Sequence, residues 1–190
     1  YVDSPLAAEV AEVYRAHPDA VHPEVAEGVR DGHGILGGDG VTYVREFEQS
    51  MRLTGRPGSA VIIASSGMCD AGRIVSHLKQ VVDDPRCTVI LVSYQAHGTT
   101  GRRLMEPKPT VRFAGKDWNK WIEVVHLEGF SGHADRDDFL AYLGPLAGKV
   151  GKVRLIHGEK EQAAALAETL RGAGFPDVAV PEPGDRVVIG

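Results

Sequence analysis

The feature that most constrains this chain is the alternation of short apolar runs with amphipathic segments of about ten to fifteen residues. Strands are indicated by four apolar runs: SAVIIASSG, TVILVSY, IEVVHL and KVRLIHG. The first two are predicted to be buried. Amphipathic helices are indicated by segments such as CDAGRIVSHLKQVV and EKEQAAALAETLRGAG, where apolar residues recur three and four positions apart. Strands that alternate with helices in this way predict an α/β fold with a mainly parallel sheet.

Several helices have ends and faces that the sequence itself predicts. Asp3 or Ser4 should cap a first helix, which carries Leu6, Val10, Val13 and Tyr14 on one face. A later helix should turn its apolar residues inward: Ile74, Val75, Leu78, Val81 and Val82. Asp135 and Asp138 are spaced almost as in a capping box. The closing segment DVAVPEPGDRVVI is predicted to form two short strands.

Composition narrows the class of protein. The chain has 190 residues, of which 43% are hydrophobic and 25% charged, as in a soluble globular protein. No apolar run approaches the roughly 20 residues of a membrane span. The two cysteines suggest no disulfide framework, so a cytoplasmic location is expected. The net charge of −5 argues against a broadly basic nucleic-acid surface but leaves room for a local basic channel.

Two histidines stand where a predicted strand passes into a helix. His133 lies in GFSGHAD and His157 in LIHGE, 24 positions later, which is about one β-α repeat. Gly132 and Gly158 flank them and permit close approach of a ligand. Since ligands collect where parallel strands end, both imidazoles are predicted to lie at one sheet edge and to bind a metal or move a proton. The alternative is that each is satisfied by nearby backbone.

The segment ASSGMCDAGR forms a third junction of this kind. Ser65, Ser66 and Gly67 precede a helix start, and their hydroxyls and N–H groups predict binding of an anion such as a phosphate. An ordinary capped turn is the other interpretation. Cys69 is interpreted as packing material, and a Cys69 nucleophile with His133 as its base is kept as a weaker hypothesis.

Other residues carry weaker signals. The segment GHGILG matches a dinucleotide-binding pattern but lacks the flanking strand and helix, so it is rejected as such a site. Phosphate contact or solvated charge are both open for three arginines: Arg73, Arg102 and Arg103. Trp118 and Trp121 are candidates for base stacking, although at least one is expected to pack on the sheet. Five histidines are interpreted as surface or loop residues: His17, His22, His33, His77 and His97.

The ordered motifs ASSGMCDAGR, GFSGHAD and LIHGE resemble those of the β-CASP nucleases of the metallo-β-lactamase fold, a group that includes RNase J and the pre-mRNA 3′-end cleavage endonuclease. YVDSPLA and VPEPGD also fit, so the resemblance spans nearly the whole chain. It implies that residues 1–107 form most of a β-CASP domain. Residues 108–190 would then be the C-terminal segment, or RNA-specificity region, that completes an αββα metallo-β-lactamase fold.

The resemblance also implies roles for particular residues. His133 would transfer a proton to the leaving group near the scissile phosphate, and His157 would be a ligand in a two-zinc site. The RNA would contact the turn and the loop before His133 through Ser65, Ser66, Gly67, Ser131 and Gly132. Relatives that repair DNA usually carry valine at the position of His157, so this histidine favours RNA as the substrate.

The chain departs from the family pattern at the metal site. No H-x-H occurs in the sequence, and the family's H-x-H-x-D-H motif normally precedes the segment that begins this chain. The chain is therefore interpreted as the C-terminal portion of a zinc-dependent ribonuclease and is expected to be inert alone. A non-catalytic RNA-binding or scaffold subunit and a DNA-directed nuclease are the alternatives. RNA is the expected partner, no membrane contact is expected, and a homodimer is left open.

Overall fold

The computed structural model describes residues 1–53, 55–130 and 132–188 of the chain. The helices are α1 (Pro5–Ala16), α2 (Pro23–Arg30), α3 (Phe47–Leu53), α4 (Arg73–Val81), α5 (Thr100–Met105), α6 (Arg136–Leu143) and α7 (Lys160–Gly172). The strands are β1 (Val2–Asp3), β2 (Ile63–Ala64), β3 (Thr88–Leu91), β4 (Thr110–Phe113), β5 (Lys116–Asn119), β6 (Glu123–His126), β7 (Val153–Arg154) and β8 (Val178–Ala179). None of these helices is both long and apolar enough to cross a bilayer.

The strands pair two by two. The pairs β1–β2, β3–β6 and β7–β8 are parallel, whereas β4 and β5 form an antiparallel hairpin. The prediction of an α/β chain with mostly parallel pairing is confirmed at this level. One continuous sheet is not present among the described strands. Only the first of the two predicted closing strands forms, since residues 181–188 contain no strand.

The chain divides into two compact units, Tyr1–Ser131 and Gly132–Gly190. In the first unit, Leu78 of α4 and Val82, which follows this helix, pack against Val89 and Leu91 of β3 and Val111 of the hairpin. In the second unit, α7 packs on β7 and β8 around a cluster of buried residues: Ala167, Leu170, Phe175 and Val178. The hairpin belongs to the first compact unit, and the functional boundary near residue 107 stays a prediction.

Helix α1 buries a different face from the one with its large residues. Ala8 and Ala11 are buried, whereas Leu6 and Val13 are 67% and 60% exposed. The small alanines let the helix lie close to its neighbours. For α4, in contrast, the predicted inward residues do pack in the core of the first unit.

A buried ionic network joins distant parts of the first unit. The Asp3 carboxylate is fully buried and accepts hydrogen bonds from Ser50 Oγ at 2.5 Å, Arg73 Nη1 at 2.5 Å and His77 Nε2 at 2.6 Å. Burial alone would raise the pKa of Asp3, but the bonds from Ser50, His77 and Arg73 outweigh burial and lower this pKa. His77 is therefore a buried structural residue, and its interpretation as a surface histidine is wrong.

Replacing Asp3 with asparagine should destabilise the protein by about 3–5 kcal/mol at pH 7, because Arg73 would be left without its buried counter-charge. Since the folded-state pKa of Asp3 is lowered, its charge stabilises the fold above the unfolded pKa of roughly 4 and this contribution is lost as pH falls below it. Denaturant unfolding of wild type and Asp3→Asn should therefore converge towards acid pH. Asp39→Asn, at an exposed aspartate, is the control. An equal loss of stability at pH 7 and pH 3 would contradict the assignment.

Candidate functional site

The Ser65–Gly67 turn follows β2 and is fixed by its own backbone. Ser66 N–H donates to Ala71 O at 3.2 Å, Cys69 N–H to Ser66 O at 3.0 Å and Ile74 N–H to Ser65 O at 3.0 Å. Ser65 and Gly67 are exposed and Ser66 is half-buried. The Ser66 amide and hydroxyl therefore both serve the turn, since the hydroxyl donates to Ala71 O at 3.4 Å. The Ser65 hydroxyl accepts from Ser4 Oγ at 3.3 Å and is left with its own hydrogen for a ligand.

Gly72 allows the turn to close on itself before α4. Its φ is +78°, and a Cβ there would lie 2.5 Å from Ser65 O. A side chain at this position would therefore be strained and would also collide with the backbone of the turn. Helix α4 begins only at Arg73, so its N-terminus does not directly follow Gly67.

Gln95 supports the turn from beneath. This side chain is only 1% exposed, and its Nε2 donates to Gly67 O and to Ser93 O, both at 3.0 Å. Room for the amide comes from Gly101, where a Cβ would lie 1.7 Å from Gln95 Oε1. The role of Gln95 is not predictable from the sequence, because a contact between residues 28 positions apart leaves no local pattern.

Cys69 packs beneath the same turn. The residue is 2% exposed and belongs to the core cluster with Leu78 and Leu104. Burial, with a smaller contribution from the Asp70 carboxylate, raises the pKa of the Cys69 thiol to about 11. A thiol in this state is a poor nucleophile at neutral pH, which supports packing and argues against the Cys69 hydrolase hypothesis.

Some of the arginines and tryptophans near these turns make structural contacts, and others are exposed on the surface. Arg73 donates to Asp3, Val44 O and Arg45 O, so it belongs to the buried network rather than to a phosphate site. Arg103 donates to Arg112 O at 2.9 Å. The indole of Trp118 stacks on Phe113 at 5.2 Å, as expected for at least one tryptophan, whereas Trp121 is 57% exposed.

His133 is exposed at the entrance to α6 in the second unit. The helix starts with the predicted capping box, in which Asp135 accepts from Asp138 N–H at 2.9 Å and Asp138 accepts from Asp135 N–H at 3.1 Å. This cap fixes the backbone two residues after His133. Gly132 is also exposed, whereas Ser131 lies outside the described residues.

His157 lies between β7 and α7 in the second unit. Its φ is +67°, a left-handed conformation that few residues other than glycine adopt, and its side chain is exposed. Unusual backbone of this kind concentrates at functional positions. A Cβ on the neighbouring Gly158 would lie 3.3 Å from Ala163 Cβ, so a small residue is favoured there.

The strands that precede the two histidines belong to different pairs. Strand β6 pairs with β3 in the first unit, and β7 pairs with β8 in the second. The placement of both histidines at one sheet edge stays a prediction. The roles of His133 and His157 stay predictions.

The described residues could supply part of a zinc site. Within 1–53, 55–130 and 132–188, no three His, Cys, Asp or Glu side chains come together as potential ligands. A protein zinc site takes three or four ligands. His157 offers one exposed imidazole, so these residues fit one part of such a site and not the whole of it.

Comparisons with known proteins place the chain in a family. A model of the Beta-Casp domain matches residues 1–104, and a model described as a Zn-dependent metallo-hydrolase RNA specificity domain matches residues 122–181. The chain is 36% identical to Ribonuclease TTHA0252 of Thermus thermophilus over 170 residues, which cover 90% of this chain and 38% of the relative. It is 29% identical to the transcription termination factor FttA of Pyrococcus abyssi over 168 residues, covering 85% and 26%. The chain thus spans well under half of these relatives, and it belongs to the β-CASP family.

Proposed function

We propose that the protein is a zinc-dependent ribonuclease that hydrolyses RNA phosphodiester bonds, and that this chain supplies its RNA-contacting turn and two site histidines. Residues 1–107 would be most of the β-CASP domain and residues 108–190 the segment that returns to the metallo-β-lactamase fold. Support comes from the family membership, from a relative named as a ribonuclease and from the RNA specificity domain matched by residues 122–181.

The observation that carries the proposal is the construction of the Ser65–Gly67 turn. Its tip is exposed, while Gln95 holds Gly67 O from the buried side at 3.0 Å. A turn that is open to solvent yet fixed from below suits a surface that positions a charged chain, because little ordering is needed on binding. Ser65 would donate its hydroxyl hydrogen to a phosphate oxygen, and Ser66 would do so by giving up its 3.4 Å bond to Ala71 O. Ser131 and Gly132 would add contacts near His133.

The site histidines would divide the chemistry between them. Zinc, when bound, would activate water and neutralise charge on the phosphate. His157 would be one of its ligands. His133 would hold a proton near the leaving oxygen and deliver it as the phosphodiester bond breaks. The capping box that starts α6 would keep the backbone beside His133 in place.

The decisive experiment compares the 190-residue chain with the protein that the complete gene encodes. The chain alone should neither cleave RNA nor keep stoichiometric zinc, because only His157 among its residues is assigned as a ligand. The complete protein should retain zinc and cleave single-stranded RNA. Elemental analysis after dialysis against a weak chelator and a gel assay with matched RNA and DNA strands measure both properties.

The same experiment separates the alternatives. A complete protein that cleaves only DNA is a DNA-directed nuclease. A complete protein that binds RNA without zinc or cleavage is a non-catalytic subunit. Stoichiometric zinc on the 190-residue chain would contradict the proposal that His157 is the one zinc ligand within this chain.

A further inference from the structure

A small cavity lies where the parallel strands β3 and β6 end. Leu91 and His126 are partners in the register of this pair, and the cavity is formed by residues 92–94 and 126–129 immediately after them. We call it the Tyr94 pocket. The carboxyl ends of parallel strands are the usual place for ligands in α/β sheets. None of its residues has a role in the function proposed above.

The size and lining of the Tyr94 pocket suit one flat ring. Its volume is about 190 Å³, below the roughly 300 Å³ at which sites for drug-sized ligands begin. Its walls are mostly apolar, and Val92, Tyr94 and Leu127 are 46%, 41% and 39% exposed. An aromatic ring beside aliphatic side chains is a surface on which a base can stack.

Ser93 connects the Tyr94 pocket to the Ser65–Gly67 turn. Its Oγ would lie 3.2 Å from a Cβ on Gly67, so the two segments are in direct contact. Its carbonyl accepts from Gln95 Nε2, the same group that holds Gly67 O, and from His126 Nε2 at 3.2 Å. If a phosphate of an RNA strand binds at the Ser65–Gly67 turn, an adjoining base of the same strand would therefore lie close to the Tyr94 pocket.

The Tyr94 pocket has a carboxylate at its edge. Because a carbonyl oxygen accepts, His126 Nε2 carries the hydrogen toward Ser93 O. Glu128 Oε1 lies 3.9 Å from Nδ1 of the same ring, and the Glu128 side chain is 91% exposed. A carboxylate here disfavours a phosphate group and favours a ring with an amino group, which donates hydrogen bonds.

We propose that the Tyr94 pocket binds a nucleobase of the RNA strand, preferentially one with an exocyclic amino group, while the adjoining phosphate contacts the Ser65–Gly67 turn. The proposal rests on the proposed RNA function. Tyr94 and Leu127 would contact the faces of the ring, and the Glu128 carboxylate would accept from its amino group. An apolar side chain of a protein partner is the competing occupant.

The test is RNA affinity of the protein that the complete gene encodes, measured by fluorescence anisotropy with short single strands. Tyr94→Leu keeps the apolar bulk but removes the aromatic face, and it should weaken binding roughly tenfold. Tyr94→Phe should bind like wild type. Tyr14→Leu, at a tyrosine of α1 that is 46% exposed, is the matched control and should leave affinity unchanged.

A second pair of probes tests the preference for amino groups. Strands with adenine should bind several-fold more tightly than strands with unsubstituted purine, which has the same ring system and lacks the amino group. Glu128→Ala should reduce this difference, although the loss of a negative charge should raise the affinity for both strands.

The outcomes are distinct for the two proposals. If wild type cleaves and binds RNA but Tyr94→Leu binds as tightly as Tyr14→Leu, the base-binding inference is wrong and the proposed function stands. Equal effects of Tyr94→Leu and Tyr94→Phe would also overturn the inference, because stacking needs only the ring. If wild type neither binds nor cleaves RNA, both proposals fall.

Discussion

Replacing His157 with alanine in the protein that the complete gene encodes should lower RNA cleavage by at least about 100-fold and should also lower the zinc content. Loss of a residue that only orients a metal ligand already lowers metal affinity or activity 10–100-fold. Loss of a residue that binds the metal directly should therefore have a larger effect. Elemental analysis and cleavage of a single-stranded RNA measure the two effects in the same preparations.

The backbone at His157 calls for a second variant. Its φ of +67° is unfavourable for alanine, so a loss in His157→Ala alone could reflect strain in the loop. Asparagine tolerates this conformation better and lacks an imidazole. His157→Asn should therefore lose zinc as His157→Ala does. His22→Ala, at an exposed histidine of the first unit, is the control. Zinc retention in both His157 variants would rule out the ligand role.

The helices were the most predictable part of the fold because their signals are local. The inward residues of α4 and the capping box of α6 follow from spacings of three and four positions. The buried face of α1 was not predictable in this way. Its large apolar residues suggested an inward face, whereas the close approach of neighbouring elements selects Ala8 and Ala11. The sequence of a helix does not specify which neighbouring element will pack against it.

The β4–β5 hairpin shows how a weak turn signal hides a strand pair. Its two-residue turn, Ala114–Gly115, has φ values of +48° and +84°. Turns with two positive φ angles usually carry asparagine or aspartate before glycine. Because the first position here is alanine, the sequence lacks this hairpin signal. Strand β5, with the sequence KDWN, also has no apolar run that would predict a strand.

The supports of the candidate site are long-range contacts. Asp3 bonds His77 across 74 positions, and Gln95 bonds Gly67 across 28. Motif spacing located the serine turn and the two histidines but not the residues that hold the turn. The same limit applies to Ser93, whose contacts with Gly67 and His126 create the connection to the Tyr94 pocket.

His133→Ala should reduce RNA cleavage by about 10²–10⁴-fold, the usual contribution of a positioned proton donor. Its zinc content should stay near that of wild type, because the proposed role is proton transfer and not metal binding. This combination distinguishes His133 from His157, for which zinc and cleavage should fall together. The capping box that starts α6 is made by Asp135 and Asp138, which the variant keeps, so α6 should form.

Cys69→Ser completes the comparison and should leave cleavage nearly unchanged. The Cys69 thiol is buried and its pKa is raised to about 11, so it is protonated at neutral pH. Its replacement should lower stability modestly, because a hydroxyl would stand in an apolar core. Cleavage rates and zinc content of the three variants then separate a metal ligand, a proton donor and a packing residue. If Cys69→Ser abolishes cleavage while both histidine variants keep it, the metallonuclease assignment fails and the chemistry belongs to the thiol.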